Sequence, residues 1–153
     1  MTNDQLNREV YVLAHNIRSL HNVGSIFRTC DGAGVSKLYL TGYSGVPPRK
    51  EITKTALGAD ESVVWEFHND PISVIQMFKK DGVQIVALEK NKKSTDIRKF
   101  KPKYPVCMIV GNEIDGVEEP LLKLSDHILH IPMHGKKKSL NVSVAFGIGI
   151  YSI

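Results

Sequence analysis

The residues best suited to chemistry fall in three short stretches that lie far apart in the chain. The first is Asn16-Ile-Arg18-Ser-Leu-His-Asn22-Val-Gly-Ser-Ile-Phe-Arg28-Thr. Arg18 and Arg28 carry guanidinium forks that match phosphate oxygens, and backbone amides at a helix start favour an anion. Asn22 is placed either to cap that helix or to hold Arg28, about two turns further on. The second stretch is Ile109-Val-Gly111-Asn112-Glu113-Ile-Asp115-Gly116, an apolar run that ends in glycine and acid. Gly111 would let a ligand approach the backbone closely, with Glu113 beside it. The third, Ile131-Pro-Met133-His-Gly-Lys136-Lys-Lys-Ser139-Leu140-Asn141-Val-Ser143-Val-Ala145, puts three polar residues at the mouth of an apolar helix. Burying such groups is costly unless they bond something. Each stretch also has a plainer reading. These are a capped helix with solvated arginines, a turn with a solvated acid, and a Ser139-capped helix behind a solvated lysine run. The last leaves Asn141 and Ser143 unaccounted for.

Positioning these groups requires a scaffold, and the hydrophobic pattern supplies one. Apolar runs at Val10–Ala14, Lys37–Thr41, Val63–Phe67, Val83–Leu88, Val106–Val110 and His127–Ile131 read as strands. Helical spacing is expected over Asn22–Ala33, ending at Gly32 or Gly34, from Pro71 to about Lys80, over Glu118–Leu124 and over Ser139–Tyr151. Gly42–Thr53 and Lys90–Lys103 read as loops, the second with room for a helical turn. Alternating strands and helices predict an α/β domain with a mostly parallel sheet flanked by helices. Residues 1–153 form a single domain in this reading, since no linker or repeat divides them. In such sheets ligands bind beyond the carboxyl ends of the strands. All three stretches follow strands.

Composition narrows the classes. Hydrophobic residues are 42% and charged residues 24% of the chain, a globular balance. The net charge of +4 fits a polyanionic partner without requiring one. Cys30 and Cys107 have no metal-ligand spacing and read as reduced core thiols. The polar start, Met1 to Glu9, lacks the apolar run of a secretory signal, and nothing reads as a membrane span, so a cytoplasmic protein is expected. P-loop, dinucleotide, zinc-protease and nucleophile-elbow patterns are missing. The six histidines are scattered, with His127 and His130 better placed on a strand than on a metal, so no metal is expected. Gly147 and Gly149 fall inside the final helix, where they suit close packing.

Taken together, the three stretches resemble the SpoU (TrmH-like) branch of the SPOUT RNA methyltransferases. Their motifs look like N-x-G-x-I-x-R-T, V-G-x-E-x-x-G and I-P-M-x-G-x-x-x-S-L-N-V-S-x-A, matched here in order. Lys54-Thr-Ala-Leu-Gly-Ala59, with Trp65 after it, also looks like the middle of these proteins.

The resemblance implies a carboxyl-terminal deep trefoil knot, a homodimer, and transfer of a methyl group from S-adenosylmethionine to a ribose 2′-hydroxyl of transfer or ribosomal RNA. By motif position it implies active-site roles for Arg28, Asn22, Glu113, Ser139 and Asn141. It implies cofactor contacts for Leu88, Val110, Gly111, Asn112, Glu113, Ile131, Met133, Ser139 and Leu140. RNA contacts fall to Arg18, Arg28, Lys54 and Lys136, with Arg49, Lys50, Lys92, Lys93, Lys137 and Lys138 as further candidates. Many relatives carry an extra amino-terminal RNA-binding domain, and none is expected here. Arg28 is a poor general base, because arginine keeps its proton; clamping phosphate and placing the nucleophile suit it better. Two alternatives stay open at this point, a non-catalytic RNA-binding module and methylation of a base nitrogen.

Overall fold

The computed structural model describes residues 8–153, so Met1 to Asn7 of the expected signal-free start lie outside the described residues. Seven strands form one sheet: β1 (Val10–His15), β2 (Lys37–Thr41), β3 (Trp65–His68), β4 (Gln84–Leu88), β5 (Thr95–Asp96), β6 (Val106–Val110) and β7 (His127–His130). Their order is β3-β2-β1-β6-β4-β7-β5, and every pairing is parallel. The chain builds outward from β1 through β2 to β3, then crosses to the other side for β4. That reversal makes the carboxyl ends beside β1, β6 and β4 the natural ligand site of such a sheet. β6 lies between β1 and β4, with Leu13 beside Ile109 and Ala87 beside Ile109. All five of its residues are buried, which is why it reads as an unbroken apolar run.

Side chains alternate across the sheet and feed two cores. Val12, Ala14, Met108 and Val110 face one layer, with Phe27, Ile52 and Phe146. Leu13, Ile85, Cys107 and Ile109 face the other, with Ile75, Phe78 and Leu121. The first layer is made by α1 (Leu20–Ala33), α2 (Lys50–Ala56), α3 (Ala59–Ser62) and α6 (Val142–Tyr151); the second by α4 (Pro71–Lys80) and α5 (Glu119–Leu124). Phe146, with no exposed surface, anchors α6 to the sheet, a burial that contributes about 1.5–3 kcal/mol. Gly149 lets α6 close on β4 and β6: a Cβ there would sit 3.1 Å from a Leu88 methyl and 3.3 Å from the Met108 sulfur. No helix among the described residues is long and apolar enough to cross a membrane.

Several boundaries differ from expectation: the strand expected at Val63–Phe67 runs Trp65–His68, and Lys90–Lys103, expected as loop with room for a helical turn, also supplies β5. α1 is capped by Ser19, whose hydroxyl accepts from the Asn22 N–H, so Asn22 sits in the first turn and its side chain is free for other work. Gly34, with φ of 69°, ends it. The stretch Gly42–Thr53, expected as loop, becomes α2 from Lys50. That helix is held by packing, since a Cβ on Gly24 of α1 would lie 2.4 Å from the Ile52 carbonyl. α6 starts at Val142 rather than Ser139, with Asn141 as its cap.

Candidate active site

One cavity of about 250 Å³ opens at the carboxyl ends of β4, β6 and β7. Leu88, Val110, Leu129, Ile131, Leu140 and Val142 give it apolar walls, and Glu89, Glu113 and Asp115 bring three carboxylates to its lining, with Lys90 and Lys138. All nine residues expected to meet a cofactor line it: Leu88, Val110, Gly111, Asn112, Glu113, Ile131, Met133, Ser139 and Leu140.

The wall formed by residues 111–117 is rigid for identifiable reasons. Asn112 and Gly116 exchange backbone hydrogen bonds of 3.1 and 2.9 Å. The Asn112 side-chain oxygen accepts from the N–H groups of Ile114 and Asp115, both at 2.9 Å, which folds the turn onto itself. Gly116 takes φ of 70°, a left-handed conformation suited to glycine. Gly111 packs so tightly that a Cβ would lie 2.3 Å from the Gly116 carbonyl oxygen. Glu89, just beyond β4, accepts from the Val117 N–H at 2.8 Å and ties this wall to the neighbouring strand.

Glu113 joins the first stretch to the second. Its carboxylate accepts from the N–H groups of Arg18 and Ser19, each at 2.8 Å, and from Asn22 Nδ2 at 2.9 Å. Burial raises its pKa, but the bonds from Arg18, Asn22 and Ser19 together outweigh burial and leave it below the ordinary carboxylate value. A negative charge at the start of α1 is also favoured by the helix dipole. Glu113 is therefore an ionised pin between two segments, not a free base. The bond between Asn22 and Arg28 does not form. Six helical residues carry Arg28 roughly 9 Å along the axis and about 120° around it, while Asn22 is engaged by Glu113.

The third stretch divides in two. Ser139 lines the cavity. Asn141 and Ser143 do not; Asn141 Oδ1 accepts from the Ser143 N–H at 2.9 Å and from its hydroxyl at 2.6 Å. The polar pair that the sequence left unaccounted for is a helix cap. Arg28 is exposed on α1 and is not among the cavity's lining residues. Arg18, Lys54 and Lys136 are also exposed, outside the cavity. No group of three side chains able to hold a metal ion occurs among the described residues.

Sequence reasoning missed a polar cluster beneath the cavity wall. His15, buried at the end of β1, places Nδ1 2.9 Å from Thr41 Oγ1 and Nε2 3.4 Å from Glu118. Burial lowers its pKa, and the Glu118 carboxylate offsets this only in part, so the ring stays neutral at pH 7. Asn16, at φ of 54°, donates from Nδ2 to Glu118 and accepts from the Tyr43 N–H, while its carbonyl accepts from Asn112 Nδ2. Polar residues directly beyond a strand were the available signal for Asn16, as for Glu89.

A parallel sheet with a cavity beyond the carboxyl ends of its central strands defines a ligand site on an α/β scaffold. The comparisons with known proteins make the class specific. The family model described as "SpoU rRNA Methylase family" matches residues 9–151. A tRNA (guanosine(18)-2'-O)-methyltransferase of Aquifex aeolicus is 37% identical over 145 residues, covering 94% of this chain and 68% of that protein. Among solved structures, the A. aeolicus TrmH/SpoU tRNA modifying enzyme superposes with a TM-score of 0.86 at 36% identity, covering 95% of this chain and 75% of that one. An AdoMet-bound rRNA methyltransferase from Sinorhizobium meliloti gives 0.88 at 30% identity, and this chain covers 94% of its own length but 55% of that protein's. The chain belongs to the SpoU rRNA methylase family.

Proposed function

We propose that this domain transfers a methyl group from S-adenosylmethionine to a ribose 2′-hydroxyl of transfer RNA, and that it works in the cytoplasm as a homodimer. The observation that carries the reading is the cavity lined by the second and third motif stretches, with the first fastened to its wall through Glu113, in a chain whose family relatives are named for this reaction.

The cavity fits the cofactor chemically. The apolar walls at Leu88, Ile131 and Leu140 suit an adenine ring, with backbone groups of residues 111–116 at hand for its nitrogens. The carboxylates of Glu89 and Asp115 suit a cationic sulfonium and ammonium. When bound, S-adenosylmethionine supplies an electrophilic methyl group. Glu113 then holds the start of α1 against the cavity wall, and Ser139 offers a hydroxyl at the opening. The trefoil knot is part of this reading. It rests on membership of the family, whose model matches residues 9–151.

A second copy completes the site in this reading. Val144, Ile148 and Tyr151 form an exposed stripe along α6, with Val144 at 51% and Tyr151 at 65% exposure. Their spacing of four and three residues puts them on one face. α1 lies alongside, since a Cβ on Gly32 would sit 2.9 Å from the Tyr151 hydroxyl. Docking through that stripe would bring Arg28 of one chain toward the partner's cavity, where its fork would clamp an RNA phosphate.

The A. aeolicus relative is named for guanosine 18 of tRNA, which makes that nucleotide the first to examine. The purified protein should transfer labelled methyl from S-adenosylmethionine to unmodified tRNA transcripts and leave ribosomal RNA fragments unlabelled. Label appearing only in ribosomal RNA would refute the tRNA assignment; label in neither would refute the activity.

A further inference from the structure

The geometry points to the exposed ring of Tyr43 as a stacking platform for an unpaired nucleobase of the RNA substrate, set beside the cofactor cavity; the inference rests on the RNA-methylating reading above. Tyr43 is 60% exposed, an unusual position for a large aromatic in a loop whose backbone is otherwise tied down. Its N–H donates to Asn16 Oδ1 at 2.9 Å. The neighbouring Ser44 is buried; its hydroxyl donates to the Ala14 carbonyl and accepts from the Ile17 N–H. On either side Gly42 lies against Asn16, and a Cβ on Gly45 would meet a Leu20 methyl at 2.2 Å. The loop is thus fixed to the first motif stretch, and the ring it presents is held by a short, rigid base.

The tyrosine hydroxyl accepts from Asn112 Nδ2 at 2.8 Å. Asn112 is itself part of the cavity wall, and its oxygen holds the N–H of Ile114, which is 76% exposed. One asparagine therefore fastens both exposed apolar groups to the wall of the cavity. The bond fixes the ring at its edge through the hydroxyl and leaves the remainder open. A ring oriented in this way, with an open face and few rotatable bonds to order, is the kind of surface on which an unstacked base rests.

Charge identifies the occupant. The segment that follows Tyr43 carries Arg49, Lys50 and Lys54, all exposed. Arg18, in the first motif stretch that holds the Tyr43 backbone through Asn16, is also exposed. An exposed aromatic on segments that carry exposed cations suits a polyanion with stacking bases. The 2′-hydroxyls of an RNA duplex lie in its shallow minor groove, out of reach of a recessed cavity, whereas a nucleotide whose base is splayed out and rests on Tyr43 could bring its ribose to the opening.

The test compares Tyr43→Phe and Tyr43→Ala in the full chain, with methyl transfer to tRNA transcript, binding of S-adenosylmethionine and sedimentation measured for each. Tyr43→Phe keeps the ring and loses the bond to Asn112; Tyr43→Ala loses the ring. The platform predicts a KM for RNA raised at least about fivefold in Tyr43→Ala and little changed in Tyr43→Phe. Cofactor affinity and dimer content should match wild type in both. Equal loss in the two variants would assign the effect to the Asn112 bond and overturn the proposal. So would an unchanged KM in Tyr43→Ala, or a monomeric Tyr43→Ala, which would make the ring a subunit contact. A wild-type protein that methylates no RNA overturns the activity itself, and is recognised in the wild-type arm alone.

Discussion

Asn22 Nδ2 lies 2.9 Å from Glu113 Oε2, joining two motif stretches that are 91 residues apart in the chain. The same carboxylate takes the Arg18 and Ser19 N–H groups at the start of α1. A residue whose place in the sequence marks it for chemistry thereby becomes the fastening between the start of α1 and the wall of the cavity.

Removing that carboxylate should loosen the junction. Glu113→Ala is expected to cost about 1–3 kcal/mol in urea unfolding, because three donors lose a charged partner. Glu113→Gln should fall between, since an amide keeps only one acceptor oxygen. The pH dependence has a definite sign. The Glu113 pKa is lowered in the folded state. Its contribution is therefore complete above the unfolded carboxyl pKa, about 4.3, and fades as pH falls through the lower folded value. The stability gap between wild type and Glu113→Gln should be flat from pH 7 to 5.5 and shrink below about pH 4. A gap that instead changes near pH 6.5 would implicate a histidine.

Gly111 tests the wall from inside. Gly111→Ala would drive a Cβ to 2.3 Å from the Gly116 carbonyl oxygen and 2.6 Å from the Val117 nitrogen. The backbone must move, at a cost of about 1–3 kcal/mol, and the cavity lining moves with it. Calorimetry should show S-adenosylmethionine bound at least about tenfold more weakly, the equivalent of 1.4 kcal/mol. Wild-type affinity in this variant would separate the cavity from the cofactor.

Arg28 should show the opposite pattern. Because it is exposed, Arg28→Ala should shift stability by no more than about 0.5 kcal/mol. Cofactor affinity should be unchanged, while methyl transfer drops by about 10²-fold or more. Arg28→Lys, which keeps the charge without the fork, should recover little. Loss of cofactor binding in Arg28→Ala would place this residue in the cavity of its own chain.

The dimer can be tested through α6 and by mixing subunits. Val144→Lys with Ile148→Glu should sediment as a folded monomer and lose most methyl transfer. At S-adenosylmethionine concentrations too low to load Gly111→Ala, mixing it with Arg28→Ala, with subunit exchange, should restore roughly a quarter of wild-type activity, because heterodimers carry one intact composite site. No recovery in a mixture proven to exchange would mean that each chain uses its own Arg28.

Much of this architecture is legible in the residues. β6 reads as a buried strand because both its neighbours shield it, and all nine residues expected to meet a cofactor line one cavity because glycine, proline and polar groups punctuate the strand ends. What is illegible depends on distant partners. Asn22 looks like a cap, but Ser19 takes the cap and Glu113 takes Asn22. α2 forms where proline and charge suggest a loop, because Gly24 lets it lie against α1. Asn141, expected at the active site, and Ser143, left without a role, bond one another at the start of α6, a pairing that cannot be read from spacing alone. The corrections share one cause: a side chain's partner, not its type, decides its role.

The most direct test of the account uses the chemistry of the product. A methyl group on the 2′-oxygen blocks alkaline cleavage at that nucleotide, whereas a methyl on a base does not. Wild-type protein, S-adenosylmethionine with a labelled methyl group and unmodified tRNA should yield label in an alkali-resistant dinucleotide, identified by mass spectrometry as carrying one 2′-O-methylribose. Label recovered instead in an alkali-released mononucleotide, with the methyl on the base, would contradict the account.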